Sequence, residues 1–416
     1  MRLVPASIIA VFVALCTVFT GHVAWAQKEN RLTTVQDRPR PETDAVGIRS
    51  GGFMILSTIS VSETYDDNIL ASESSTRDDL ITDIAPAIIV KSDWTRHSLA
   101  VHASADVALY ASNSDENFQD YQIGASGRFD ALRDTYLSGK FLYQALHESR
   151  ASNDDAGGNE PGEYSLVTSE IGIFNRFNRF AISARAMLLR YDFDDVVVNG
   201  AVSNQDDRDR DRINVTLRGG YEIVPGYQGF LRVNLNDTSY QDSIDDLGFK
   251  RGSDGYEMVA GVRLDLSGVT YGDIFAGYIS HDYIDSRLAT IDGATFGADL
   301  TWNATELTTV SLVLTRTISE TTQSSTSGTF DTDFDIAVDH ELLRHLILSA
   351  RAGFGYQDFE GISREDKYLR FGAGAKYFVN RNLDIRLDYD FDRRNSDAAG
   401  SDYTENVFML RAVGKL

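Results

Sequence analysis

Cysteine is all but missing: the 416-residue chain has one, Cys16, so no intrachain disulfide can staple the fold. Proline is scarce too, with six residues, of which Pro5, Pro39 and Pro41 precede residue 50. Positive charge is in deficit. The chain carries 39 Lys+Arg against 62 Asp+Glu, a formal net charge of −23, which argues against a nucleic-acid partner. Long apolar runs are also lacking, because beyond the first 26 residues there is no stretch of about 18 apolar residues that could form a membrane-spanning helix. If this chain crosses a bilayer it does so as a closed sheet, the other fold that satisfies every backbone group internally.

The first 26 residues have a pattern of their own. Arg2 precedes an uncharged stretch from Leu3 to Ala26 that holds the apolar run Ile8 to Phe19 and finishes Ala24-Trp25-Ala26. This is the form of a secretory signal peptide cleaved after Ala26. The run is shorter than the roughly 20 residues of an anchor, and Leu15 stands where a lipoprotein signal has Gly or Ala before its cysteine. Cleavage removes the only thiol and one basic residue, leaving 38 Lys+Arg, 62 Asp+Glu and a net charge of −24. Residues 27–51 are charged, hold Pro39 and Pro41 and show no apolar period, so they are expected to be a flexible periplasmic leader ahead of a barrel over residues 52–416.

From Phe53 onward the apolar period is two, the mark of half-buried strands. Ile213, Val215, Leu217, Gly219, Tyr221 and Ile223 alternate with Asn214, Thr216, Arg218 and Glu222. Leu383, Ile385, Leu387, Tyr389 and Phe391 alternate with Asp384, Arg386, Asp388, Asp390 and Asp392. One face is apolar and the other ionic. A soluble sandwich could show the same alternation, so the spacing of the breaks arbitrates. Short turns such as Leu132-Arg133-Asp134, Val224-Pro225-Gly226 and Asn380-Arg381-Asn382 alternate with longer acidic, Ser-rich or Gly-rich loops such as Ser149 to Glu163 and Asp194 to Asp209. Eight turns and nine loops separate about 18 strands, an all-β, transmembrane, antiparallel up-and-down barrel with both ends on the short-turn side. Pro86 is the one proline inside a strand and is expected to mark a bulge or strand end. The last strand runs to Leu416, where an aromatic is commoner in such barrels.

No catalytic constellation stands out: there is no G-x-S-x-G elbow, no H-E-x-x-H and no phosphate-binding loop, so neither an enzyme nor a cofactor is expected. Asp331-x-Asp333-x-Asp335 lacks the Gly and the final Glu of a calcium loop and reads as the inner face of a strand. His102, His281, His340 and His345 are scattered without ligand spacing. The informative constellation is the ionic face, on which Arg128, Lys140, Arg185, Arg218, Arg232, Arg263, Asp265, Arg351, Arg386 and Arg411 are expected to line a lumen. Barrels of this size leave an aqueous channel. Because no loop much exceeds 15 residues, either the channel is wide, or the leader or a partner closes it.

Thr64-Tyr65-Asp66-Asp67-Asn68-Ile69-Leu70, followed by Ile84-Ala85-Pro86-Ala87-Ile88-Ile89-Val90, resembles the opening hairpin of the "putative β-barrel porin 2" family of outer-membrane proteins. The resemblance implies a Gram-negative outer-membrane barrel among lipid and lipopolysaccharide. It also implies a role in exporting an exopolysaccharide beside a periplasmic polysaccharide-export protein. Fold does not fix function, so a general diffusion porin or a structural barrel stays open as the alternative.

Overall fold

The computed structural model describes residues 33–266 and 268–416. The expected signal peptide and the first leader residues, 27–32, lie outside the described residues. Eighteen long strands follow in order: β1 (Phe53–Asp66), β2 (Asp79–Ser92), β3 (Ser98–Tyr110), β4 (Phe118–Leu132), β5 (Thr135–His147), β6 (Glu163–Phe177), β7 (Phe180–Phe193), β8 (Arg210–Val224) and β9 (Tyr227–Tyr240). The second half holds β10 (Ser253–Leu266), β11 (Thr270–Tyr283), β12 (Ile291–Thr305), β13 (Thr308–Ser319), β14 (Gly328–Leu343), β15 (Leu346–Glu360), β16 (Glu365–Asn380), β17 (Leu383–Ser396) and β18 (Tyr403–Lys415). Each pairs antiparallel with its chain neighbours.

β18 pairs with β1 from Thr58↔Lys415 to Asp66↔Val407, which closes the sheet into a cylinder. Closure gives every strand a partner on both sides, the condition for a sheet to sit in hydrocarbon. The strands run 12 to 16 residues, enough for the roughly 9–11 that a tilted crossing needs. The fold is therefore the eighteen-stranded antiparallel barrel that the spacing of breaks implied.

Side chains divide as the period requires. Leu217 and Leu387 are 51% and 57% exposed on the outer surface, while their neighbours Arg218 and Arg386 turn inward. Outward aromatics gather near the short turns, among them Phe129, Phe177, Phe180, Tyr221 and Trp302, and near the long loops, among them Tyr65, Tyr121, Tyr256 and Tyr278. Two such girdles bracket the apolar band of a membrane barrel. The turns follow local chemistry: Pro225 is followed by Gly226 with φ +87, a pairing that a tight turn uses, and a Cβ on Gly226 would lie 2.7 Å from the Asp265 carbonyl oxygen.

Two departures from regularity matter. The β2–β3 ladder skips Ala85 and Pro86 between Ile84↔Val107 and Ala87↔Ser104 without changing register, so Pro86 makes a gap and not the expected bulge. Proline has no N–H to donate. At the loop end the β12–β13 ladder stops at Gly297↔Thr315, leaving residues 291–296 paired with β11 alone. The tip of the β13–β14 hairpin leans inward there, and Ile318 and Phe330 bury against Ile279 and Ile291. Thr295 Oγ1 donates to the Arg316 carbonyl at 2.7 Å and Arg316 Nε donates to the Ala294 carbonyl at 3.2 Å, replacing the lost ladder.

Leu217→Arg and Leu387→Arg should each destabilise the barrel by about 2–4 kcal/mol and lower the fraction that migrates fast on unboiled gels. The inward Arg185→Leu, at a side chain 61% exposed in the lumen, should assemble normally. Equal losses on both faces would overturn the assignment of inside and outside.

Candidate channel lumen

Alternation along each strand places all ten expected lumenal residues on the inner face, and most of them meet an acid. Arg128 bonds Asp130 at 2.6 Å and lies over the Tyr136 ring. Arg218 and Arg263 both reach Asp273, each at 2.7 Å, and Arg232 approaches Glu257 at 3.3 Å. Arg185 faces Glu170 at 3.4 Å, and Arg351 pairs with Asp390. Lys140 sits opposite Glu170 in register and Asp265 opposite Tyr271. Arg386 and Arg411 are brought opposite each other. Arg370, which the sequence gave no reason to single out, bonds Asp333 at 3.2 Å and Asp335 at 3.4 Å. Solvated pairs of this kind contribute about 0–1 kcal/mol each, so the wall is held by its ladder and its ions set the field inside.

The long-loop end of the lumen is crossed. Residues 148–162, between β5 and β6, reach strands on the far side of the circle, where Thr321 donates to Asp154, Arg394 donates to the Ala151 carbonyl at 3.1 Å, and Asn153 makes most of the contacts. Its Nδ2 donates to Gln357 Oε1 at 2.7 Å and Tyr368 Oη at 3.2 Å. Its Oδ1 accepts from Arg364 at 2.8 Å and Arg394 at 3.0 Å, and its carbonyl accepts from Gln323 at 2.6 Å. The base of the loop is tied by a buried bidentate pair, Arg208 to Glu148 at 2.7 and 2.9 Å, and by Arg150 to Glu116 at 2.8 and 2.9 Å. Arg251 donates to the carbonyls of Thr321, Thr322, Gln323 and Thr326, fixing the β13–β14 loop beside it. Burial pushes the Asp155 carboxyl up, against the pull of Arg150. Burial and then the crowding of Asp192, Asp206 and Asp242 push Asp209 up to about 6. A wide channel was one expectation from the loop lengths; a 15-residue loop proves long enough to span the mouth because its amides bond the opposite wall.

The short-turn end holds the leader. Val35, fully buried, packs on the inward Ile347 and Phe378. Its N–H donates to Thr309 Oγ1 at 2.9 Å, and Gln36 Nε2 donates to Asp339 at 2.8 Å and Ser349 at 3.2 Å. Arg40 stacks over Phe378 and bonds Glu341 at 2.9 Å, while Arg381 and Lys415 donate to the carbonyls of Pro41 and Thr43. Residues 48–50 then pair with the start of β1. The segment expected to be flexible is therefore held, over residues 35–50, along the inner wall and rim from β13 to β18 and on to β1. One valine and a few bonds do what no periodic pattern announced.

The sequence profile described as "Putative beta-barrel porin 2" matches residues 40–416. The chain belongs to this family. It is accordingly an outer-membrane β-barrel of porin-like channel fold. No curated protein matches its sequence. Solved structures that resemble it include the outer membrane protein OpdK of Pseudomonas aeruginosa, at 14% identity, TM-score 0.43, 87% of this chain and 99% of that one. OccAB4 of Acinetobacter baumannii follows at 12% identity, TM-score 0.47, 88% and 99%. A mutant of the ferric enterobactin receptor PfeA of Pseudomonas aeruginosa stands at 7% identity, TM-score 0.46, 90% and 81%.

Asn153→Ala should raise amide exchange over residues 150–155 roughly ten-fold or more, since the hydrogen bonds it loses to charged partners are worth about 1.5–3 kcal/mol. Mass-spectrometric exchange on folded protein checks this. Unchanged protection would mean that the loop is held without the Asn153 side chain, by Arg150 and Arg208 at its base and by the bonds of Thr321 to Asp154, Arg394 to the Ala151 carbonyl and Gln323 to the Asn153 carbonyl.

Proposed function

We propose that this chain is a gated outer-membrane conduit that exports an exopolysaccharide and opens when a periplasmic export protein displaces its leader. The observation that carries the proposal is the leader itself, held against the inner wall and rim at the short-turn end, which in this reading faces the periplasm. A pore for unregulated diffusion has no use for a segment in its mouth, whereas a secretion conduit must stay shut until polymer arrives. The hold is of displaceable strength: burying Val35 contributes about 1.5–3 kcal/mol, and a partner needs only a few kcal/mol of differential affinity for the open form to shift the population. The family resemblance supports the polymer as cargo. In this reading the outward faces lie in outer-membrane lipid, with lipopolysaccharide around the long-loop rim.

The loop of residues 148–162 favours a second reading, a general diffusion porin, because a strap across the mouth narrows the passage to small hydrophilic solutes. Deleting the gene separates the two. Loss of surface polymer with unchanged uptake of small sugars supports the conduit, and photo-cross-linking from Arg133 on a short turn should then capture a periplasmic export protein. Normal surface polymer with slowed sugar uptake would overturn the conduit in favour of the porin.

A further inference from the structure

Alternation assigns Ile318 and Phe330 to the outer surface, and the structure buries them inside. On β13 the outward stripe runs Val310, Leu312, Leu314, Arg316 and Ile318, and these stand directly opposite Val338, Ile336, Phe334, Thr332 and Phe330 on β14. Yet Ile318 and Phe330 are 2% and 3% exposed, packed on Ile279 and Ile291 of the inner wall. The tip of the β13–β14 hairpin has laid its lipid-side face against the lumenal side of β11 and β12. This leaves a gap in the wall, because β12 has no strand beside residues 291–296 on that side and the Ala294 carbonyl takes the Arg316 side chain in place of a backbone N–H. Continuing the register from Gly297↔Thr315 would set Ala294 opposite Ile318 and Gly293 opposite Ser319. Ile318 and Phe330 would then face outward level with Tyr278 of the loop-side girdle, which is opposite Ala294. The same residues fit two arrangements.

A latch holds the inward one. Arg251 Nε donates to the buried Asp245 at 2.6 Å, while its Nη atoms donate to the tip carbonyls of Thr321 at 2.8 Å, Thr326 at 3.0 Å, Gln323 at 3.1 Å and Thr322 at 3.3 Å. Ser253 Oγ donates to Glu320 at 3.2 Å. The latch is imperfect, since Glu320 Oε2, His281 Nδ1 and Tyr283 Oη are buried without a hydrogen bond, His281 standing 3.8 Å from Glu320. Buried polar atoms without partners cost free energy that access to water returns. Local conflicts of this kind are retained at functional sites. We infer that the β13–β14 tip is a two-position lid at the long-loop end of the lumen: folded inward it narrows the passage, and zipped onto β12 it completes the wall and clears the passage. Opening uncovers Ile279 and Ile291, which keeps the inward position the resting one. β14 stays paired with β15 as far as Gly328↔Glu360, so the ends of β13, β14 and β15 swing together about Thr315. The strap is coupled to the lid, because Gln323 Nε2 donates to the Asn153 carbonyl at 2.6 Å and Thr321 donates to Asp154.

The inference holds whatever solute passes, and its test uses no transport, so the lid stands or falls apart from the conduit. Hydrogen exchange by mass spectrometry is compared between the parent and Arg251→Gln on the folded, fast-migrating full chain. Releasing the latch should lower protection over residues 320–327 roughly ten-fold, as expected for hydrogen bonds lost from a charged group. Protection over residues 291–296 should rise at the same time, because the β12–β13 ladder reforms there. Loss in both segments, or no change in either, would overturn the lid and leave the tip as fixed lining. Disulfide trapping tests the otherwise native latch, in chains carrying Cys16→Ser so that no other thiol is present. Ala294→Cys with Ile318→Cys, which face each other only in the zipped position, should close under mild oxidant in the folded barrel, as should the inward pair Ile291→Cys with Ile318→Cys. An inward pair that closes while the zipped pair stays reduced would show that the tip does not move.

Discussion

The closed hydrogen-bond ladder is the constraint from which the rest of this structure follows. Once β18 pairs with β1, no strand has a free edge in the membrane, except where the β12–β13 seam opens and Arg316 and Thr295 stitch it. Closure leaves each strand one face for lipid and one for water. It also encloses a space that eighteen strands make too wide for side chains to fill. The lumen is therefore furnished by what the wall and its connections send inward: ion pairs from the strands, a strap from the long-loop end, and the leader from the short-turn end.

Much of this was legible in the residues. The period of two separates Leu217 from Arg218 and Leu387 from Arg386, and the alternation of short and long breaks counts the strands, because both follow from local geometry that repeats. The closures were not legible. Asn153 sits in a stretch of Ser, Asn, Asp and Gly that would look the same hydrated by solvent or bonded to Gln357 and Arg394 across the barrel. Val35 is a single apolar residue with no periodic neighbours. The row of Lys376, Arg386 and Arg411 exists only once strand register sets them opposite each other, and registers of neighbouring strands are fixed by pairing that no one strand encodes.

These features divide by their energetics. Paired cations such as Arg218 and Arg263 are neutral furniture that keeps the wall hydrated and uniform. Val35, Arg40 and the Glu341 carboxylate hold the leader by a few separate contacts, in contrast to the cooperative grip of a strand.

The central claim is that the leader obstructs an otherwise conducting lumen. Its most direct test is single-channel conductance in planar bilayers of the chain from Gln27 onward against the same chain lacking residues 33–44. A gated lumen predicts little or no conductance from the first and stable openings, several-fold larger, from the second. Equal conductance from both would contradict the gate and leave the leader as a passive lining of the wall.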